Sequence, residues 1–226
     1  LDLESGRGVM VTMTGPADWE HAAPFRSFLH WTAAARGSLL VHAASVAQPG
    51  GRGALLLGPG GSGKSTTTLT AVAAGWVTAG DDYVLVDPSG SRVGARALYG
   101  TAKTKADAHV ALPALAGASR SWTTDDGSKH VHHLGEAHPH AFAAQVPVDV
   151  LVVMRRDGGS DVAPAAPSEA LAAVAPSTIF QLPYDRATAF AVLGDLVRRV
   201  PAVTVTLHPD PDEMVRRLGR AVEVAA

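Results

Sequence analysis

The sequence lacks cysteine, and it has only four lysines among its 226 residues. The absence of cysteine excludes a disulfide-stapled scaffold, a cysteine-ligated zinc site and cysteine catalysis. No apolar run reaches the roughly 18 residues that a membrane-spanning helix needs, so we expect no membrane partner. Neither charge sign is in clear excess, because 19 Lys and Arg face 21 Asp and Glu for a formal net charge of -2. We therefore expect no general affinity for nucleic acid either.

The first residues show no basic segment followed by an apolar one. We therefore expect no signal peptide and a cytoplasmic location. The length is sufficient for a substantial hydrophobic core.

Hydrophobic patterning along the chain predicts an α/β fold with a mixed sheet. Apolar runs bounded by turn residues predict strands near 39–41, 54–57, 83–86, 91–96, 129–134, 148–154 and 202–207. Helical spacing and caps predict helices near 21–36, 64–74, 185–199 and 211–222, with a short helix beginning at Ser168. Residues 98–128 are expected to be irregular, with a hairpin turn at 125–127, and residues 161–167 to form a surface loop.

One glycine-rich motif carries most of the chemical information. Residues 58–65 spell Gly-Pro-Gly-Gly-Ser-Gly-Lys-Ser and satisfy the pattern G-x-x-x-x-G-K-[ST] between an apolar strand and a helix. Such glycines let backbone N–H groups point into one concavity, and the helix N-terminus behind them favours phosphate. Lysine then reaches the β- and γ-phosphates, and the serine hydroxyl holds Mg²⁺. The predicted nucleotide-binding residues are Gly58, Pro59, Gly60, Gly61, Ser62, Gly63, Lys64, Ser65 and Thr66.

Two adjacent carboxylates follow this motif. Asp81 and Asp82 lie just before the predicted strand at 83–86, and by themselves they are more typical of a solvated turn than of a metal site. Asp87, at the end of that strand, fits the pattern of a Walker B aspartate but lies close behind the helix of the glycine motif. His42 follows the predicted strand at 39–41.

His42, the glycine motif and the Asp81-Asp82 pair, in this order, resemble the catalytic domain of HPr kinase/phosphorylase. The close resemblance covers residues 39–87, and it extends to HPr-kinase-like proteins of bacterial peptide-modification clusters, some of which phosphorylate a serine of a lasso precursor peptide. It implies the fold shared with ATP-dependent phosphoenolpyruvate carboxykinase. It also implies one catalytic domain over 1–226, with residues 1–37 as a lead-in and 38–226 as the P-loop core.

The resemblance implies a role for each matched residue. Lys64 and Ser65 would bind phosphate and Mg²⁺, with ATP as the donor. Asp81 would be the general base toward a hydroxyl acceptor, and Asp82 would support the metal. His42 would lie beside the γ-phosphate or Asp81, giving a catalytic set of Asp81, Lys64 and His42 and a metal set of Ser65 and Asp82.

The sequence departs from the family where a further metal-linked glutamate is expected. Residues 98–105 offer Lys103 and Lys105 and no acid, which places phosphorylase activity and HPr as the substrate in doubt. Lys103 and Lys105 are equally consistent with phosphate contacts and with a solvated loop. Lys129 resembles a lysine that follows the hairpin turn in HPr-kinase-like proteins and is a candidate for contact with the nucleotide.

Other candidate groups carry weaker signals. Five histidines fall between 130 and 140, and Glu136 adds an oxygen, but zinc needs three or four converging ligands and the spacing fixes no convergence. An exposed or substrate-facing hairpin is the favoured interpretation of this segment. Arg186 and the pair Arg155-Arg156 are candidates for stabilising transferred phosphate, although a surface position is the favoured interpretation of each.

The expected function is therefore transfer of the γ-phosphoryl group of ATP to a hydroxyl, most naturally a serine of a peptide or protein. A small-molecule alcohol is the near alternative as acceptor. A P-loop NTPase or nucleotide-gated binding module is the alternative class, but a water-positioning Glu or Gln after a Walker B strand is not visible. A nucleotide-binding pseudo-kinase is a third interpretation. The sequence identifies neither the acceptor nor the oligomeric state.

Overall fold

The structure is a computed structural model, and it describes residues 1–13, 15, 18–105, 121–124, 127, 129–156, 159–181 and 185–224. The expected turn residues Asp125 and Asp126 lie outside the described residues, as does about half of the segment expected to be irregular, namely 106–120. Within the described part of the chain, no helix is both long enough and apolar enough to cross a membrane.

The helices and strands alternate along the chain. The helices are α1 (Asp18–Ala22), α2 (Arg26–Ala34), α3 (Lys64–Ala73), α4 (Leu134–Ala137), α5 (Pro167–Gln181), α6 (Arg186–Arg199) and α7 (Pro211–Val224), with a 3-10 turn at Pro139–Ala141. The strands are β1 (Leu39–Val41), β2 (Ala44–Ala47), β3 (Gly53–Leu57), β4 (Val77–Gly80), β5 (Val84–Asp87), β6 (Gly94–Arg96), β7 (Thr101–Lys105), β8 (Ser121–Thr123), β9 (Lys129–His133), β10 (Gln145–Pro147), β11 (Val150–Arg155), β12 (Val162–Ala165) and β13 (Ala202–Thr206).

A six-stranded mixed sheet in the order β12-β13-β11-β3-β2-β4 forms the centre of the fold. Its three middle strands, β13, β11 and β3, are parallel, whereas β2, β4 and β12 run antiparallel to their neighbours. All of β3 and all but the last residue of β11 are buried. Continuous apolar runs are typical of parallel strands that are covered on both faces.

Each face of this sheet carries its own hydrophobic cluster. Leu55, Leu57 and Val153 point to one face, where they pack with α5, α6 and a second sheet in the order β1-β5-β6-β10. Leu56 and Val152 point to the opposite face, where they pack with α3 and α7. The alternation follows from the two-residue period of side chains along a strand.

A third sheet, β7-β9-β8, packs against α3. Leu69 and Val72 of α3 contact Ala102 of β7 and Leu134 in a small buried cluster. This contact fixes the third sheet against the C-terminal half of α3, whereas the glycine-rich motif ends at the first residues of that helix.

The α/β class with a mixed sheet is confirmed, and the structure contains each predicted strand and helix with shifted ends. Four expectations need correction. Part of the segment expected to be irregular forms β7 and β8, and the expected surface loop at 161–167 contains β12. The short helix predicted from Ser168 continues through Pro176 to Gln181, and the predicted helix 21–36 is split into α1 and α2.

Most strands of the central sheet begin or end at one common edge. The parallel strands β3, β11 and β13 all end there, β4 ends there, and the antiparallel β2 begins there. Ligands of open α/β sheets bind outside the carboxyl ends of the parallel strands. Ligand-binding residues are therefore expected directly after β3, β4, β11 and β13 and directly before β2.

Candidate active site

The glycine-rich loop leaves β3 and delivers the chain to α3 through conformations that require glycine. Gly63 has a φ of 97° at the N-terminus of α3, and a Cβ there would lie 2.6 Å from Leu207 Cδ1. Gly58 has a φ of 150°, and a Cβ there would lie 2.6 Å from Ser62 Oγ. Positive φ at both positions is accessible to glycine at little cost. The loop therefore curls back over the start of α3.

Lys64 lies at the first position of α3 and is buried at 6% exposure. Its Nζ donates to the carbonyl oxygens of Gly58 at 2.8 Å and Pro59 at 3.2 Å, so the side chain folds over its own loop. Burial lowers the pKa of Lys64, the charges of Asp82 and Asp81 oppose that shift, and the nearby Lys129 adds to it. A cation held in this way at a helix N-terminus is suited to an anion.

The two aspartates follow β4 directly and occupy different environments. Asp81 is 2% exposed; its Oδ2 accepts a hydrogen bond from the Lys103 backbone N–H at 3.0 Å, and its Oδ1 has no hydrogen-bond partner. Asp82 faces the cleft, where its Oδ1 lies 3.1 Å from His42 Nε2 and its Oδ2 lies 2.8 Å from Lys103 Nζ. The structure thus joins His42, Asp82 and Lys103 in one network above Asp81.

These environments move the pKa values of the two carboxyl groups in opposite directions. Burial and the adjacent charge of Asp82 raise the pKa of Asp81 to about 6. The backbone hydrogen bond from Lys103, the neighbouring Ser65 side chain and the charge of Lys64 each oppose this rise. Burial alone would raise the pKa of Asp82. The hydrogen bond from His42 and the charge of Lys103 outweigh burial and hold that pKa below its usual range. A carboxyl pair with separated pKa values is suited to divided acid–base and electrostatic roles.

His42 is fixed by contacts on both sides. Its backbone N–H donates to Thr178 Oγ1 of α5 at 3.1 Å, and its ring lies 5.2 Å from the ring of Tyr83. His42 is only 6% exposed, so its approach to Asp82 is set by the packing around it.

All four lysines of the chain line one cleft. Lys64 comes from α3, Lys103 and Lys105 from β7, and Lys129 from β9. Arg156, which follows β11, completes the cationic lining, while Asp82 is the one carboxylate among the described lining residues. The four lysines, which are rare in the sequence, thus converge on a single cleft.

Arg156 also connects this cleft to a second cavity. Its Nε donates to the Gly61 carbonyl oxygen at 2.9 Å, so it braces the tip of the glycine-rich loop. The second cavity, of about 410 Å³, shares Gly63, Thr66 and Arg156 with the lysine-lined cleft. Its far wall consists mainly of apolar residues after β13 and in α7, namely Leu207, Pro209, Pro211 and Met214, together with His208. No feature of the sequence analysis pointed to this cavity.

Several sequence candidates do not reach the cleft. Arg155 pairs with Glu169 of α5, and the Arg186 guanidinium lies 5.6 Å above the Phe180 ring. Asp87 accepts a hydrogen bond from the Ser89 backbone N–H at 2.9 Å in a turn. None of these three is a lining residue of the cleft.

The histidine-rich segment divides between two environments. His132 is fully buried with its Nε2 3.1 Å from Thr104 Oγ1, and the His130 Nδ1 lies 3.1 Å from Thr123 Oγ1. Within the described ranges, no group of three or more His, Cys, Asp or Glu side chains is arranged to hold a metal ion. Strands β8 and β9 pair in this segment, as the hairpin interpretation expected, whereas the burial of His132 departs from an exposed hairpin.

The residues present do fit a magnesium ion carried in by phosphates. Mg²⁺ is usually held by one or two protein oxygens together with substrate phosphates and water. The half-buried Ser65 and Asp82 line the cleft, and the unpartnered Asp81 Oδ1 is a further oxygen beside Ser65. These hard oxygen donors, next to a phosphate-type loop, suit Mg²⁺ rather than a softer metal.

The comparisons with known proteins give little beyond this geometry. No family model matches the chain, and no curated protein matches it. Among solved structures, the chain is similar to the HPr(Ser) kinase/phosphatase from Coxiella burnetii, with 14% sequence identity and a TM-score of 0.42. That match covers 79% of this chain and 88% of the other.

Proposed function

We propose that the protein is an ATP-dependent kinase of the HPr-kinase-like type that transfers the γ-phosphoryl group to a hydroxyl, most naturally a serine of a peptide or protein. One observation carries the proposal: the glycine-rich loop with Lys64 and the network of Asp81, Asp82 and His42 meet at the carboxyl edge of the central sheet. A loop of this kind binds a triphosphate. The aspartates supply what a hydroxyl acceptor needs in addition.

The proposed reaction is an in-line displacement at the γ-phosphorus. The acceptor oxygen forms a bond to phosphorus, the bond from phosphorus to the β–γ bridging oxygen breaks, and ADP leaves with that electron pair. The acceptor's hydroxyl proton passes to the Asp81 carboxylate. Lys64 and the N–H groups of residues 58–65 hold the phosphate oxygens, which positions the group and stabilises its charge.

The surroundings of the two carboxylates support a different proposed role for each. Asp81 has an Oδ1 without a hydrogen-bond partner and is proposed to be the base. Asp82 is kept anionic by His42 and Lys103 and is proposed to support the metal with Ser65. His42 is proposed as a positioning residue, since it holds the Asp82 Oδ1 at 3.1 Å. When bound, Mg²⁺ would supply charge neutralisation for the β- and γ-phosphates.

The second cavity is proposed to hold the nucleobase. Its volume of about 410 Å³ falls in the range of roughly 300–1,000 Å³ that is typical of small-molecule sites. It opens beside Gly63 and Thr66, where the proposed phosphate site ends. The Asp210 backbone N–H donates to His208 Nδ1 at 3.1 Å, so the neutral imidazole carries its proton on Nε2 and offers a donor to a base.

Replacing Leu207 with alanine is expected to weaken ATP binding about tenfold, because a base stacked in the cavity loses apolar contact worth about 1.4 kcal/mol. Binding of inorganic tripolyphosphate should not change, since that probe has no base. Calorimetric titration of both ligands, each with Mg²⁺, measures the two affinities.

Leu171→Ala is the matched control for this prediction. Leu171 is also half-buried, but it packs against the cluster on the opposite face of the sheet. It should leave both affinities unchanged. Equal weakening of tripolyphosphate and ATP in Leu207→Ala would mean that Leu207 shapes the loop near Gly63 and that the base lies elsewhere.

The function itself is tested by incubating the protein with γ-labelled ATP, Mg²⁺ and a panel of serine peptides and small alcohols. Transfer of label to an acceptor, and its loss in Lys64→Ala, is the expected result. Label on a small alcohol alone would change the acceptor class and leave the kinase assignment standing. Release of free phosphate that no acceptor changes would favour an NTPase or a nucleotide-gated module instead. Binding of ATP without turnover of any kind would favour a pseudo-kinase.

A further inference from the structure

Three lysines share one face of the small sheet that covers the cleft. Lys103 and Lys105 are two residues apart on β7, so their side chains leave the strand on the same face. Lys129 of β9 lies directly opposite Lys105 in the antiparallel register. All three line the same cleft as Lys64.

The Lys105–Lys129 pair is unfavourable as it stands. Like charges directly opposite each other on an antiparallel pair destabilise the sheet. Both residues are exposed, and among the described residues neither has an acidic partner. Lys103 differs, because its Nζ is engaged by Asp82 at 2.8 Å. An anion that binds between Lys105 and Lys129 would remove the repulsion.

The proposed nucleotide does not account for this charge. Lys64, the loop amides and Mg²⁺ already oppose the charge of the triphosphate. Five cationic side chains line the cleft against the carboxylate of Asp82, which Lys103 and His42 balance locally. Lys105 and Lys129 come from the strands that cover the cleft, not from the loop that is proposed to hold the phosphates. Because the loop is proposed to hold the phosphates, the strand side of the cleft is left for the acceptor.

Resting on the kinase function proposed above, we propose that the acceptor is anionic: its reactive hydroxyl lies close to a carboxylate or phosphate group that binds between Lys105 and Lys129. The two lysines then act in acceptor binding and orient the hydroxyl toward Asp81. An exposed cationic pair selects the charge of the acceptor and leaves the rest of its shape to other contacts.

The first test measures anion binding directly. The protein is saturated with Mg²⁺ and a non-hydrolysable ATP analogue, and inorganic phosphate or malonate is then titrated by calorimetry. Wild type is expected to bind one further anion, and the double variant Lys105→Ala/Lys129→Ala is expected to lose about tenfold or more of that affinity. A preference for phosphate or for malonate distinguishes the two anionic groups. The nucleotide affinity, measured in the first step, should change less than threefold, or about 0.65 kcal/mol.

Arg198→Ala is the control, because Arg198 is an exposed cation of α6 whose side chain is 69% accessible and is absent from the cleft. It should leave both binding steps unchanged. Failure of wild type to bind either anion on top of the nucleotide analogue would overturn the inference. So would a double variant that lost nucleotide and anion affinity equally, since the lysines would then serve the triphosphate. If wild type does not bind the nucleotide analogue in the first step, the kinase proposal itself is refuted.

The second test measures selectivity in turnover. A serine peptide with aspartate on both sides of the serine is compared with the same peptide carrying asparagine, and glycerate is compared with glyceramide. Wild type should favour the anionic member of whichever pair it phosphorylates by about tenfold in kcat/KM, and the double variant should lose that preference through KM. Equal rates for charged and neutral members would contradict the inference while leaving the kinase function in place. If neither pair is phosphorylated, the anion titration alone decides.

Discussion

Lys64→Ala is expected to abolish nucleotide turnover and to weaken ATP binding by about a hundredfold or more. The Lys64 ammonium is the cation at the N-terminus of α3, and it is buried with its Nζ within 2.8 Å of the Gly58 carbonyl oxygen. Removing it leaves the loop N–H groups to hold the triphosphate alone. Turnover of γ-labelled ATP and calorimetric binding of the Mg²⁺ complex measure the two effects.

Two controls separate charge from structure in this prediction. Lys64→Met keeps the apolar stem and should be as inactive as Lys64→Ala, because the missing group is the ammonium. Arg198→Ala removes an exposed cation elsewhere and should retain full activity. Thermal unfolding should show that both Lys64 variants remain folded, since the lysine lies at the start of α3 and not within either hydrophobic cluster. Full turnover in folded Lys64→Ala would remove the assignment of residues 58–65 as a phosphate-binding loop.

The part of the site that could be predicted from the sequence is the part built by local signals. Residues 58–65 form a loop between an apolar strand and a helix because glycine spacing and the apolar run before it specify that turn locally. The family resemblance placed His42 beside the γ-phosphate or Asp81, and the structure places its ring against Asp82. The structure supplies the physical reason, which is that β2 begins and β4 ends at the same sheet edge.

What could not be predicted depends on tertiary context. Half of the residues in the strands β2 and β4 are alanine or glycine, which have low β-propensity, so burial in the sheet decides the conformation of these strands. In β7, the polar sequence Thr-Ala-Lys-Thr-Lys shows little hydrophobic signal, although Ala102 and Thr104 are buried. Pro164 argued for a loop, yet β12 is an edge strand, where a missing N–H is tolerated.

The lysines illustrate the same division. Their rarity is visible in the sequence, and it indicated that each was worth attention. Their convergence depends on the pairing of β7 with β9 and on the packing of β7 against α3, which involve residues 24 or more positions apart. The second cavity gave no advance signal, because Leu207 and His208 belong to no motif and acquire their place only where β13 ends.

Asp81→Asn is expected to lower kcat by a factor of about 10² to 10⁴ while changing the affinity for the Mg²⁺–ATP complex less than threefold. The amide keeps the shape of the side chain and can still accept the Lys103 N–H hydrogen bond, but it cannot take the acceptor's proton. Asp82→Asn is the matched variant. It should raise the Mg²⁺ concentration that half-maximal activity requires, since it removes the carboxylate that His42 and Lys103 keep anionic. Initial rates at varied ATP and varied Mg²⁺ distinguish the two.

Asp81→Asn should also make the protein more stable at neutral pH, when unfolding is measured without nucleotide or Mg²⁺. Burial and Asp82 raise the pKa of Asp81 to about 6, so between its ordinary value and pH 6 the folded state binds a proton that the unfolded chain has released. Wild type therefore loses stability as the pH rises through this window, and Asp81→Asn does not. The variant should gain up to about 3 kcal/mol over wild type at pH 7.5, with the difference shrinking toward pH 4. Greater stability with lost transfer is the signature of a carboxylate kept for chemistry, whereas a structural aspartate would give a less stable variant. If Asp81→Asn instead lost nucleotide affinity but transferred phosphate at saturating ATP, Asp81 would be the metal carboxylate and Asp82 the base.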